Sequence, residues 1–406
     1  MGLYVQKFGG TSVADAERIR RVAARVAATK RAGNEVLVVV SAMGSSTDDL
    51  IDLANQLHPD PPGREMDMLL SAGERIAMSL LAMAIHAEGI EAVSFTGSQA
   101  GILTDSHHGG AKIREIRGFR VVESLGEGKV VIVAGFQGVD PESKDVTTLG
   151  RGGTDTTAVA LAAANHADVC EIYTDVDGVF TADPRLVPAA RKLDEITFEE
   201  MLELASTGAK VLMARSVEVA QRFGIPLHVR SSFHDGQGSW VKETTMEQAI
   251  VRGISHDTAE AKVTIVGVPD RPGVAASVFA PLADRGVNVD MIVQNVSHDG
   301  TTDISFTIPR AGVAVAEKTA REVAKEVGAK SVLVDLEIGR VSVVGVGMRS
   351  NPGIAARMFE VLADHGINIE MISTSSIRIS CVIREDQVKQ AVRALHRAFF
   401  EEQSDG

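Results

Sequence analysis

Cysteine is nearly missing from this sequence, with two in 406 residues, Cys170 and Cys381. Far apart and without metal-ligand spacing, they give no disulfide framework and fit a reducing compartment as small core residues. Basic residues are also in deficit, 41 Lys and Arg against 54 Asp and Glu, for a net charge of −13. Such a field repels a polyphosphate backbone, so nucleic acid is not an expected partner. No basic leader with a long apolar run opens the chain, and apolar runs such as residues 36–40 are too short to cross a bilayer. A soluble cytoplasmic protein with no membrane partner is expected. No G-x-G-x-x-G follows a strand with an acid about 20 residues on, which argues against a dinucleotide-dependent dehydrogenase.

The length calls for two or three domains, each able to bury its own core. Up to about residue 230, short β-branched apolar runs alternate with helical patterns, the order of a parallel sheet covered by helices. Expected strands are 3–8, 36–41, 92–95, 130–134, 169–174 and 227–231, several of them apolar on both faces. In the first helix Ile19, Val22 and Val26 share a face, while Arg18, Arg21 and Arg25 point elsewhere. Residues 234–243 are polar and rich in turn formers, which reads as a linker.

Beyond it the chain repeats itself. Arg271-Pro272-Gly273-Val274-Ala275-Ala276 recurs as Asn351-Pro352-Gly353-Ile354-Ala355-Ala356, and Leu282-Ala283-Asp284-Arg285-Gly286-Val287-Asn288 as Leu362-Ala363-Asp364-His365-Gly366-Ile367-Asn368. This is a duplicated unit of roughly 75 residues, too few in copies for a solenoid. The expected division is 1–233, a linker over 234–260, and copies at 261–338 and 339–406. From spacing alone the pair is either a ligand-binding module or a structural cap.

Four segments of the first domain carry chemistry-bearing residues. Lys7-Phe8-Gly9-Gly10-Thr11-Ser12 sets bare glycine amides and a helix start beside a lysine, which suits phosphate. An ordinary glycine turn also fits, and the lysine precedes the glycines, unlike a P-loop. Ser41-Ala42-Met43-Gly44-Ser45-Ser46-Thr47 supplies hydroxyls and amides at the carboxyl end of a strand, where open α/β sheets bind ligands; N-capping by Ser46 or Thr47 is compatible with that. Thr148-Leu149-Gly150-Arg151-Gly152-Gly153-Thr154-Asp155 opens a helix expected over 158–165. A guanidinium between glycines can take a carboxylate bidentately, and a solvated loop arginine is the alternative. The fourth segment, from Tyr173 to Arg185, combines turn formers, acids and a basic end, and reads equally as a surface loop of Asx turns.

KFGGTSV from Lys7, SAMG from Ser41, SAGER from Ser71, TLGRGGTD from Thr148 and TDVDGVFTADPR from Thr174 together resemble the aspartokinase signatures. The tail copies resemble ACT domains, so the likeness spans the whole chain. It implies an α/β amino acid kinase fold, an eight-stranded, mostly parallel sheet between helices, followed by two α+β ferredoxin-like ACT domains. Thr154 departs from the serine common in similar enzymes but keeps a hydroxyl.

The resemblance implies transfer of the γ-phosphoryl group of ATP to the side-chain carboxylate of L-aspartate, the first step toward lysine, threonine and methionine. Lys7 and Asp155 are implied as catalytic. Lys7, Gly9, Gly10, Ser41, Thr174, Asp175, Phe180, Asp183, Arg185 and Lys210 are implied for ATP. Ser41, Ser45, Thr47, Glu74, Arg151, Gly152, Gly153 and Thr154 are implied for aspartate. Mg²⁺ is expected to arrive on the ATP phosphates, and no direct protein ligand for it is assigned. Feedback effectors, with threonine and lysine foremost, are expected at Asp270, Asn288, Ile292, Gln294, Asn295, Ser297, Asn368, Ile369, Thr374 and Ser375. A homo-oligomer is expected, or a complex with a regulatory chain started internally at Met246. Two rivals are a relative acting on glutamate, carbamate or a nucleotide, and a dead kinase that only senses amino acids.

Overall fold

The computed structural model describes residues 2–243, 250–294, 300–346, 348, 351 and 353–402. Met246, Asn295 and Ser297 lie outside the described residues. The chain divides into two compact units. One holds Met1–Phe180, Lys192–Ser206 and Lys210–Met246, and the other Thr181–Arg191, Thr207–Ala209 and Glu247–Gly406.

The first unit is built on an eight-stranded sheet. Its order is Glu195–Ile196, Ser239–Val241, Leu227–Ser231, Val169–Thr174, Leu3–Phe8, Glu35–Val40, Val130–Ala134, Ala92–Phe95. All neighbours run parallel except Leu227–Ser231 with Ser239–Val241. All six strands expected in this region are present, and their two-sided apolarity has its cause: Val130–Ala134 is buried at every position. On one face Val22, Val26, Leu81 and Ile85, from helices Ala16–Arg31 and Gly63–Ala87, pack on Val38 and Ile132. Helix Gly153–Ala164 packs on Leu3–Phe8 and Glu35–Val40 from the other. Strand order runs outward in both directions from Leu3–Phe8, so the topological switch point, where such sheets bind ligands, lies at its carboxyl end.

Helix Gly63–Ala87 is 25 residues long and, by length and composition alone, apolar enough to cross a membrane. Half of its most apolar stretch is buried, and its inner face holds two buried acids, Asp67 and Glu74, as a core helix can. Ile19, Val22 and Val26 are buried as expected, while Arg25 is drawn half inward, its guanidinium 4.7 Å from the Tyr173 ring centroid. Both cysteines are free and buried.

The second unit contains two four-stranded antiparallel sheets that repeat the same plan. The first copy orders Ile292–Gln294, Thr301–Pro309, Glu260–Pro269, Ser331–Asp335, and the second Met371–Thr374, Arg378–Arg384, Ile338–Val344, Gly253–Asp257. Gly253–Asp257 thus takes in the second copy the edge that Ser331–Asp335 takes in the first. This corrects the expected linker over 234–260. Ser239–Val241 joins the large sheet between Glu195–Ile196 and Leu227–Ser231, and Gly253–Asp257 closes a small one, because even a short stretch pairs with a neighbouring strand through its backbone. Segment Thr181–Arg191 also folds here, with Ala182 and Val187 in the core of the second copy.

Candidate active site

Lys7 is the last inner position of the first strand before Phe8, and strand alternation points it away from the Phe8 face. There its Nζ lies 2.7 Å from Asp155 Oδ1, both side chains about nine-tenths buried. Phe8 stacks on Tyr173 at 4.7 Å across two parallel strands, fixing the carboxyl ends side by side. The chain then turns through Gly9 and Gly10. A Cβ on Gly10 would stand 2.8 Å from the Gly44 carbonyl and 2.9 Å from that of Ala42, so a side chain cannot fit. The same approach lets the Gly44 amide donate to the Gly10 carbonyl at 3.0 Å. The glycine turn is therefore also a packing requirement between two loops.

Ser41 donates to Thr154 Oγ1 at 3.0 Å, tying the second loop to the helix that carries Asp155. That helix begins at Gly153, earlier than the expected 158, with Gly152 at its N-cap. Gly152 has φ of 69°, and an added Cβ would fall 1.9 Å from Met213 Cγ. Only glycine meets both conditions. Neither Ser46 nor Thr47 caps the neighbouring helix: it starts at Ser46 with Ser45 at the cap position, Ser46 donates back to the Met43 carbonyl, and Ser45 donates to Asp49. Thr47 is half-buried in the first turn.

Glu74 is 3% exposed. Its Oε1 accepts from the Ala42 amide at 3.1 Å, and its Oε2 has no partner among the described residues. Burial pushes the carboxyl up to about 7, against the pull of its own amide and that of Ala42. An unpaired buried oxygen leaves the group with capacity for one more hydrogen-bond or ionic partner. Arg151 is exposed and makes no ion pair with a described residue, so its guanidinium is free for an anion. Lys7 with Asp155 and Ser41 with Thr154 thus meet directly, and Ala42 and Gly44 join Glu74 and the Gly9–Gly10 turn to them at one sheet end.

The fourth segment is divided. Thr174 donates to Asp175 at 3.1 Å beyond the strand end, Phe180 is half-buried, and Lys210 is exposed, all in the first unit. Asp183 and Arg185 fold with the second unit and pair with each other at 2.8 Å. Of the expected effector residues, Asp270, Asn288, Ile292, Gln294, Asn368 and Thr374 are exposed, and Ile369 and Ser375 are half-buried. Ile292–Gln294 and Met371–Thr374 occupy equivalent edges of the two small sheets. Among the described residues no group of three or more His, Cys, Asp or Glu could hold a metal ion.

Sequence reasoning missed two contributors. Phe136 adopts φ of 68°, rare for an aromatic residue, and lies against Gly153, whose Cβ would stand 2.9 Å from its ring. Asp67, fully buried, accepts from Thr148. An acid inside a long apolar helix is the signal that could have found it.

The amino acid kinase family model matches residues 2–231, and ACT domain models match 262–328 and 341–399. The aspartokinase of Mycolicibacterium smegmatis is 59% identical over 98% of this chain and 96% of its own length. The aspartate kinase of Pseudomonas putida is 54% identical, with 98% of each chain covered. The crystal structure of E. coli aspartokinase III in complex with aspartate and ADP, in its R-state, superposes with a TM-score of 0.85 at 27% identity, covering 98% of this chain and all of that one. With the lysine, glycine turn and buried carboxylate gathered at the switch point, the chain belongs to the amino acid kinase family, and within it to the aspartokinases, ATP-dependent kinases that carry ACT domains.

Proposed function

We propose that the protein transfers the γ-phosphoryl group of ATP to the side-chain carboxylate of L-aspartate, giving 4-phospho-L-aspartate, and that amino acids made downstream inhibit it through the ACT pair. The attacking carboxylate is ionised at neutral pH, so no general base is needed and catalysis rests on alignment and charge neutralisation. A carboxylate oxygen attacks the γ-phosphorus as the bond to the ADP oxygen breaks. Lys7 and the Gly9 and Gly10 amides neutralise the charge on the transferring oxygens. The 2.7 Å ion pair with Asp155 supports this by holding the Lys7 ammonium in place. Thr174, Asp175, Phe180 and Lys210 hold the nucleotide. Mg²⁺ comes bound to its phosphates.

The observation that carries the reading is Glu74. Its buried, unpaired Oε2 suits the ammonium of aspartate, while the free Arg151 guanidinium, between glycines, suits the α-carboxylate. Ser41, Ser45, Thr47, Gly152, Gly153 and Thr154 complete the cradle. The pathway toward lysine, threonine and methionine, the joint action of lysine and threonine, and a regulatory chain started at Met246 belong to the same proposal, as does action on free small molecules in the cytoplasm. The test is ADP release with aspartate, glutamate and other acceptors, with the acyl phosphate trapped by hydroxylamine. Lysine, threonine and methionine are then added singly and in pairs. Equal rates with glutamate would overturn the substrate assignment, and inhibition by none of the amino acids would overturn the regulatory one.

A further inference from the structure

Asp67 has no place in the chemistry just described, yet it is among the most constrained side chains of the first unit. It is fully buried on helix Gly63–Ala87 and accepts four contacts. Thr148 Oγ1 donates to Oδ1 at 2.5 Å, the Gly109 amide approaches Oδ1 at 3.0 Å and Oδ2 at 3.2 Å, and His108 Nδ1 lies 2.8 Å from Oδ2. Thr148 in turn accepts from the Ala111 amide through its carbonyl at 2.8 Å. Arg215 donates to the carbonyls of Ala111 and Leu149, at 3.0 and 3.3 Å. Gly150, at φ of 75°, passes so close to this loop that a Cβ would stand 2.9 Å from the Gly109 carbonyl. Every one of these contacts falls on the three residues just before Arg151 or on the 108–111 loop that supports them. The Arg151 side chain makes no ion pair with a described residue, and its segment is otherwise braced by the Gly153 amide donating to the Gly150 carbonyl at 3.0 Å.

Asp67 and Glu74 are seven residues apart on one helix, hence on the same face and about 10 Å apart along its axis. We propose that Asp67 is a positioning residue: it clamps the Thr148–Arg151 segment to the helix that bears Glu74, and so fixes the spacing between the groups that receive the two ends of the amino-acid backbone. A buried carboxylate suits this role because charge-assisted bonds from a hydroxyl, an amide and an imidazole hold more stiffly than neutral ones. A rigid clamp also lowers the ordering cost of binding a small zwitterion. This inference rests on the assignment of Arg151 and Glu74 to aspartate.

The test uses Asp67→Asn, Thr148→Val and Thr148→Ser in the full chain, with KM for aspartate, KM for ATP and kcat measured for each. Asp67→Asn and Thr148→Val should raise KM for aspartate roughly tenfold and leave kcat and KM for ATP within about twofold, as lost substrate positioning does. Thr148→Ser, which keeps the hydroxyl, should behave as wild type. A second readout is coupling: added to Arg151→Ala, Asp67→Asn should raise KM for aspartate no further, because it acts through that arginine. If Asp67→Asn does not fold, Thr148→Val carries the same comparison. Equal losses for both substrates, a full additive effect on the Arg151→Ala background, or an unchanged KM for aspartate in Thr148→Val would overturn the inference. An unchanged KM in Arg151→Ala itself would instead overturn the assignment on which it rests.

Discussion

Replacing Glu74 by glutamine should make the free protein more stable and a poorer binder of aspartate, both through the same proton. Burial raises the folded-state carboxyl from its ordinary value of 4.5 to about 7, so the folded chain holds the proton more tightly than the unfolded one. The stability this contributes is fully present below about pH 4.5 and is lost as pH rises through about 7. The difference corresponds to about 3 kcal/mol. Glutamine keeps the acceptor for the Ala42 amide but has no charge to desolvate. Glu74→Gln should therefore match the wild type near pH 5 and exceed it at pH 8 by up to about 3 kcal/mol, or several degrees of Tm at about 2–4 °C per kcal/mol for a unit of this size. Only the ionised form can meet the substrate ammonium, so KM for aspartate in the wild type should rise about tenfold from pH 8 to pH 6. The variant should show a high KM with no such slope. Thermal melts and initial rates across pH 5–8 read both effects. A wild-type KM flat between pH 6 and 8, or a variant no more stable at pH 8, would refute the argument.

Lys7→Ala should lower kcat roughly a hundredfold or more with aspartate KM nearly intact, as loss of a transition-state donor does; near-normal kcat would remove Lys7 from the mechanism. Gly152→Ala must relieve both a left-handed φ and a 1.9 Å approach to Met213, so it should cost several-fold in KM for aspartate, and pairing it with Met213→Ala should recover only part of the loss because the backbone strain stays. Gln294→Ala should weaken inhibition by lysine and threonine, with uninhibited kcat unchanged; a coupling of about 1–3 kcal/mol corresponds to roughly 5–150-fold in apparent affinity, readily seen in inhibition curves. Curves that overlay the wild type would put the effector elsewhere.

Much of the fold was legible because it is written locally. Short, β-branched, two-sided apolar runs such as Val130–Ala134 read as central strands of a covered sheet, and the duplicated Pro-Gly and Gly-Val-Asn or Gly-Ile-Asn patterns announced the paired modules. Sheet edges were not legible. Ser239–Val241, next to the edge of the large sheet, and Gly253–Asp257, at the edge of a small one, are three and five residues long, and become strands because neighbouring strands present unpaired backbone to them. The placement of Thr181–Arg191 with the second unit had no local signal either, since Ala182 and Val187 find their partners from about 70 to more than 200 residues along the chain.

The active site divides along the same line. The sequence by itself determined which groups are present: a lysine beside bare glycines, an arginine between glycines, an acid on an apolar helix. Those identities and the backbone freedom of glycine are properties of single residues. Only the tertiary structure decided that Lys7 meets Asp155, that Glu74 keeps one oxygen unpaired and its carboxyl near 7, and that Asp67 anchors the loop of Arg151. A buried carboxylate takes its proton affinity and its partners from whatever surrounds it, and those surroundings come from segments tens of residues away that the sheet brings to one end.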